Sequence, residues 1–140
     1  MRSTPIPRAR QAGFTLLEML AVIVLLGIVA TIVVRQVGGN VDKGKYGAGK
    51  AQLASLSMKV DSYALDVGAP PGSLEQLLHK PASAGAWAGP YAKPSDLLDP
   101  FGHPFEYQAP GKHGPFDLVF LGQDGTPGGE GYNADVGSWQ

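Results

Sequence analysis

The sequence predicts an α+β chain, and three observations carry that reading. Residues 14–34 form a long apolar run with the length and composition of a membrane-spanning helix. Leu53, Leu56, Val60, Tyr63 and Val67 then recur at intervals of three and four, the period of an amphipathic helix. Short runs at 105–108 and 116–121, rich in aromatic and apolar residues, read as two antiparallel strands joined by a Pro/Gly loop.

At 140 residues the chain has room for one small domain beside a long helix. As a helix rising about 1.5 Å per residue, residues 14–34 would span about 31 Å, close to the ~30 Å hydrocarbon core of a bilayer. Glu18 is the single ionisable side chain in that run. A lone carboxylate there costs about 2.5–3.5 kcal/mol on insertion scales, so a compensating partner is expected. Ahead of the run lies a leader, residues 1–13, with Arg2, Arg8 and Arg10 and no acid. A cleaved secretory signal has a shorter apolar core and a small-residue cut site after it. Here the run is longer, carries Glu18 early and ends at Arg35. An ordinary signal anchor would share the basic leader and the apolar helix.

Gly38, Gly39, Gly44, Gly47 and Gly49 follow, and each lowers helix propensity by about 1 kcal/mol relative to Ala. A joint is one reading of residues 38–49. From Lys50 the helical pattern returns, with Lys59, Asp61 and Asp66 off the apolar line. Gly68 supplies a C-cap and Pro70-Pro71 a stop. Residues 73–79 read as a short capped helix, with Ser73 at the N-cap and Gln76 three positions on. Residues 82–94 have no steady period and read as a loop packed by Trp87 and Tyr91. His103 and His113 sit in Gly/Pro-rich turns, where lone histidines are structural or exposed; they give no zinc reading.

The C-terminal stretch holds a second candidate site. Asp124-Gly125 opens a Gly-rich segment that Asp135 closes. A hard cation such as Ca²⁺ takes six to eight oxygens, from carboxylates and main-chain carbonyls, at about 2.3–2.6 Å. A Gly-rich loop flanked by Asp124 and Asp135 can wrap carbonyls around such an ion; an ordinary glycine turn is the competing reading. The alternating acids of an EF-hand are missing.

The order basic leader, Gly13, Phe14, Thr15, apolar pair, Glu18, long apolar helix resembles the class III signal of type IV pilins and type II secretion pseudopilins. Downstream, Asp99-Pro100-Phe101-Gly102-His103-Pro104-Phe105 and the segment from Ala109 to Asp117 resemble motifs of the major pseudopilins. So does the end of the chain, Asp124 to Trp139. That resemblance implies a leader at 1–13 removed by prepilin peptidase between Gly13 and Phe14, and methylation of the new amine. It implies a membrane and fibre-core helix over 14–36 and a periplasmic domain over 37–140. The helix would continue to about residue 67, with loops and a short helix to 104 and a sheet and calcium loop over 105–140. Glu18 would pair with the Phe14 amine, in its own chain or a neighbour's. Calcium would be held by Asp124, Asp135 and the Leu121 carbonyl, with Gly129, Asn133 and Glu130 as further candidates.

The function so implied is mechanical: a homopolymeric fibre subunit that helps drive protein export across the outer membrane. Its partners would be minor pseudopilins, prepilin peptidase, inner-membrane lipid, and an inner-membrane platform with a cytoplasmic ATPase. A type IV pilin for adhesion or motility, or an anchored periplasmic binding domain, are the alternatives. The chain has no cysteine, so it lacks the C-terminal disulfide of many type IV pilins. No catalytic constellation is legible, and a net charge of −1 without a basic stripe gives no nucleic-acid footprint.

Overall fold

The computed structural model describes residues 13–140, so the leader at 1–13 lies outside the described residues except for Gly13. The chain divides between Gly38 and Gly39 into two units. One helix, α1 (Leu16–Val67), carries both the apolar run and the amphipathic stretch. It passes Arg35 unbroken: without a proline there, no backbone donor is lost and no ring clashes with the preceding turn. Its start falls two residues later than the apolar run. Thr15 stands outside the helix and caps it, its hydroxyl oxygen accepting from the Glu18 N–H at 3.1 Å.

In the first unit the large apolar side chains are solvent-exposed, including Leu16, Leu20, Ile23, Leu26 and Val34. The helix is long and apolar enough to cross a membrane, and none of its apolar window is buried by the described residues. Such a helix, hydrophobic all round, requires an apolar environment from outside the chain.

In the second unit α1 lays Leu53, Leu56, Val60 and Tyr63 against Leu74, Leu77, Ala92, Phe105, Leu118 and Phe120. The predicted stripe is the buried one; Val67, its last member, is half-buried. Three short strands form an antiparallel sheet in the order β1 (Glu106–Gln108), β2 (Asp117–Phe120), β3 (Val136–Gly137). Tyr107 faces Leu118 across the first pair and Phe120 faces Val136 across the second. Two of these strands match the aromatic runs, β1 without Phe105 and β2 without Phe116 and Leu121. The third, two residues long, carries no alternation that a sequence reading could detect.

The expected helix at 73–79 is a single 3₁₀ turn, Leu74–Leu77, and Ser73 makes no side-chain cap. Gln76 is occupied elsewhere: its Oε1 accepts from the Gly72 N–H at 2.9 Å and from the Tyr63 hydroxyl at 3.2 Å. The loop that follows is packed by its aromatics as expected. Trp87 Nε1 donates to the Gln76 carbonyl at 3.0 Å, and Tyr91 stands edge-on to both Trp87 and Tyr63. A second 3₁₀ turn, Pro94–Leu97, has no counterpart in the sequence reading. The Asp96 carboxylate holds that turn through the Lys93 N–H and pairs with Lys59 of α1.

Two kinds of glycine occur along α1. A Cβ on Gly49 would run into the Phe120 ring, whereas Gly44 and Gly47 have nothing within 4 Å. Alanine at either open site should stabilise the fold by up to about 1 kcal/mol through helix propensity. Gly49→Ala gains the same propensity but overpacks, which costs typically about 1–3 kcal/mol. Thermal melts should therefore move up for Gly44→Ala and Gly47→Ala and down for Gly49→Ala; a uniform rise would disprove the close approach.

Candidate functional site

The first candidate lies at the start of α1. Gly13 and Phe14 are exposed and non-helical, and Phe14 is 78% accessible. Thr15 and Glu18 are spaced as the Ser/Thr-x-x-Glu pattern of a helix start. The cap bond from the Glu18 N–H to Thr15 is present, and the Met19 N–H donates to the Thr15 carbonyl at 3.2 Å. Glu18 is exposed and, among the described residues, forms no ion pair. An acid in the first turn also faces the partial positive charge of the helix N-terminus. The capping spacing was readable in the sequence, yet the reading above gave Glu18 an amine partner only.

The second candidate is the C-terminal loop. Leu121 is buried at the end of β2, and Gly122 turns the chain with φ +66°. A Cβ at Gly122 would strike the Asn133 and Tyr132 carbonyl oxygens, and one at Gly129 (φ +97°) would strike Asn133 again. The two arms are thus pressed together, and the Gln123 N–H donates to the Tyr132 carbonyl at 2.8 Å. This brings the Leu121 end, Gly129 and Asn133 to one place. Asp124 is engaged locally, its Oδ1 accepting from the Thr126 N–H at 3.1 Å. Glu130 precedes a 3₁₀ turn, Gly131–Asn133, and is exposed.

Asp135 differs from the other acids of the loop. Its Oδ2 accepts from the Gly128 N–H at 2.7 Å, while Oδ1 is buried and, among the described residues, without a hydrogen-bond partner. A buried carboxylate oxygen left unpaired costs free energy unless a donor or a cation meets it. Among the described residues no three His, Cys, Asp or Glu side chains cluster. The Asp135 carboxylate and the closely held main-chain carbonyls are the donor types that suit a hard, oxygen-seeking cation, whereas Asp124 is exposed and turned to its own backbone.

The two histidines are turn braces. Asp99 is buried, and its Oδ1 accepts from the Phe101 and His103 N–H groups at 2.8 and 2.9 Å. The His103 ring fills the space beside Gly125. Asp117, also buried, accepts from the Lys112 N–H at 2.8 Å and from the N–H and ring of His113 at 3.2 and 3.0 Å. The His113 ring stacks on Trp139 with centroids 3.9 Å apart. A cleft of about 470 Å³ opens beside this group, between Glu106, Tyr107, Lys112 and Trp139. Burial alone would raise the Asp117 carboxyl, but the hydrogen bonds from Lys112 and His113 outweigh it and hold the group below its ordinary value. The partnership of each histidine with an aspartate four residues away was not picked out from the sequence.

An exposed Gly-Phe junction, a capped helix of membrane-crossing length and a small domain behind it define a class. These are helix-anchored subunits carrying the prokaryotic N-terminal methylation motif, whose model matches residues 8–34. The model for type II secretion system protein G matches residues 36–139. Type II secretion system core protein G of Xanthomonas campestris pv. campestris is 46% identical over 129 residues, covering 92% of this chain and 90% of that protein. Its counterpart in Pseudomonas aeruginosa is 40% identical over 138 residues, covering 94% and 97%. The crystal structure of the major pseudopilin from the type 2 secretion system of enterohaemorrhagic Escherichia coli superposes with a TM-score of 0.52 at 26% identity. It covers 72% of this chain and 91% of that one. The chain belongs to the type II secretion system protein G family, the major pseudopilins. It is a structural subunit and not an enzyme, and the alternatives of a type IV pilin or an anchored binding domain give way to this family.

The Asp117 brace gives a pH dependence with a definite sign. A carboxyl held below its unfolded value of about 4 stabilises the fold above that pH. The contribution is lost as pH falls through the folded value. Melting temperature should therefore drop between about pH 5 and pH 3, and Asp117→Asn should melt lower at neutral pH with a shallower acid limb. Equal acid limbs in the two proteins would remove Asp117 from the account.

Proposed function

We propose that the chain is made as a precursor, cut by prepilin peptidase between Gly13 and Phe14, methylated on the new amine and polymerised into a periplasmic fibre. The observation that carries this reading is the exposed Gly13-Phe14 bond directly ahead of a capped, fully exposed apolar helix with Glu18 in its first turn. The apolar helix fits inner-membrane anchoring, with the domain from residue 39 onward on the periplasmic side. Withdrawal from lipid then has to bury the same apolar surface against other subunits.

Glu18 sets the register of that assembly. A new α-amine on Phe14 is a cation at neutral pH, with a reference pKa of about 8. Paired with Glu18 in an apolar surrounding, it offsets the cost of carrying a lone carboxylate through the membrane. Desolvation consumes much of the attraction, so the pair selects alignment more than it adds stability. Fibre growth, powered by a cytoplasmic ATPase through the inner-membrane platform and with minor pseudopilins as partners, would push cargo outward.

The C-terminal loop binds Ca²⁺ in this reading, through Asp124, Asp135 and the carbonyls of Leu121, Gly129 and Asn133. The unpaired Asp135 Oδ1 supports it. The ion would supply a cross-link between the two arms of the loop, in a chain that has no cysteine to do so. A ligand held at one hundred times its Kd stabilises the folded form by about 2.7 kcal/mol.

Two outcomes test these readings. Mass spectrometry of the membrane-extracted protein should find a mature chain beginning at methylated Phe14, and Glu18→Ala should be cut normally yet build no fibres. An intact Met1, or normal fibres from Glu18→Ala, would overturn the assembly reading. For the loop, chelator should lower the melting temperature of the detergent-solubilised chain by about 10 °C from calcium saturation at one hundred times Kd. Asp124→Ala and Asp135→Asn should melt alike with and without chelator. A wild-type melt indifferent to chelator would dismiss the ion.

A further inference from the structure

The calcium reading places the ion among loop residues, but one contact to that loop comes from far away in sequence. The Tyr46 hydroxyl, on α1, donates to the Ala134 carbonyl at 2.9 Å. Ala134 directly precedes Asp135, whose inner oxygen is buried and, among the described residues, unpaired. The Tyr46 ring leans on Tyr132 with centroids 5.9 Å apart and on Phe120 at 5.4 Å, while Lys50 Nζ lies 5.4 Å from its centre. One side chain thus touches both the closing arm of the loop and the middle of the core.

Tyr46 also sits in the weakest stretch of the helix in its unit. Gly39, Gly44 and Gly47 surround it, each with no atom within 4 Å of where a Cβ would be. Glycine at such positions leaves the helical state poorly favoured by its own residues. The neighbouring attachments are few: Lys45 over the Phe101 ring and Gly49 against Phe120. Ordering the loop arm fixes the acceptor of Tyr46, and fixing that acceptor holds the glycine-rich turns of α1. Free-energy coupling of this kind runs equally in both directions.

We propose that Tyr46 is a positioning residue for the C-terminal loop, and that through it cation occupancy of the loop and helical order of residues 39–49 reinforce each other. The proposal rests on the reading of the loop as a Ca²⁺ site and adds the residue that connects the site to the helix. The test uses the full chain in detergent micelles, wild type beside Tyr46→Phe and Asp135→Asn. Ca²⁺ affinity is read by titration calorimetry and helix order by amide hydrogen exchange over residues 39–49.

Loss of one hydrogen bond predicts roughly fivefold weaker binding in Tyr46→Phe. In the wild type Ca²⁺ should slow exchange across residues 39–49. In Tyr46→Phe that slowing should shrink, and in Asp135→Asn it should vanish. A Tyr46→Phe protein with wild-type affinity and wild-type calcium-dependent protection overturns the link while leaving the site standing. So does an equal loss of thermal stability with and without Ca²⁺ at unchanged affinity, which would make Tyr46 a packing residue only. A wild type that takes up no Ca²⁺ brings down the site itself, and the link with it.

Discussion

The second unit depends on how closely α1 approaches the Phe120 ring. That ring is fully buried and faces Gly49, where the absence of a side chain lets the helix backbone come in. Tyr46, Phe101 and Phe105 pack around it, with ring centroids 5.4, 6.4 and 6.2 Å away. Helix, Asp99 turn and central strand thus share one contact centre. Interiors are packed as densely as organic crystals, so a change in the size of any of these residues must be felt by all three elements. A sheet of three short strands would be marginal alone; its burial against α1 supplies what its own hydrogen bonds do not.

Around that centre the chain uses carboxylates as staples. Asp99 gathers the N–H groups of Phe101 and His103, and Asp117 those of Lys112 and His113. Asp96 fixes the Lys93 turn and ties it to α1 through Lys59. Each satisfies backbone donors that a loop-rich body would otherwise leave unpaired inside. Asp135 does half of the same task and keeps one buried oxygen in reserve, which sets it apart from the other three.

Much of this was legible in the residues themselves. The Leu53, Leu56, Val60 and Tyr63 stripe named the buried face of α1, because a helical period survives whatever the rest of the chain does. The aromatic runs named β1 and β2 because short apolar runs on either side of a Pro/Gly loop mark a strand pair. The helix at 73–79 shrank to one 3₁₀ turn because Ser73 and Gln76 have the spacing of a capping pair but not its partners: a local bond from Gly72 and a tertiary one from Tyr63 took the Gln76 side chain. Strand β3 was invisible, since two residues cannot show alternation and its pairing with β2 is long-range. Asp124 and Asp135 were named as a pair by the Gly-rich segment between them. The unpaired oxygen of Asp135 and the reach of Tyr46 to Ala134 depend on folding and have no local signature.

The cap at Thr15 has a consequence for a chain shortened to begin at Phe14. Only one residue would then separate the free ammonium from the first turn, so two positive poles, one a full charge and one the partial charge of aligned peptide dipoles, would crowd the same end of the rod. Left alone they repel, and the first turn would tend to fray. Glu18 lies within that turn and can answer both poles at once, in its own chain or from the next. Neutralising the tip of the rod would be as much a condition for a lipid-embedded end to stay wound as for neighbours to find one another.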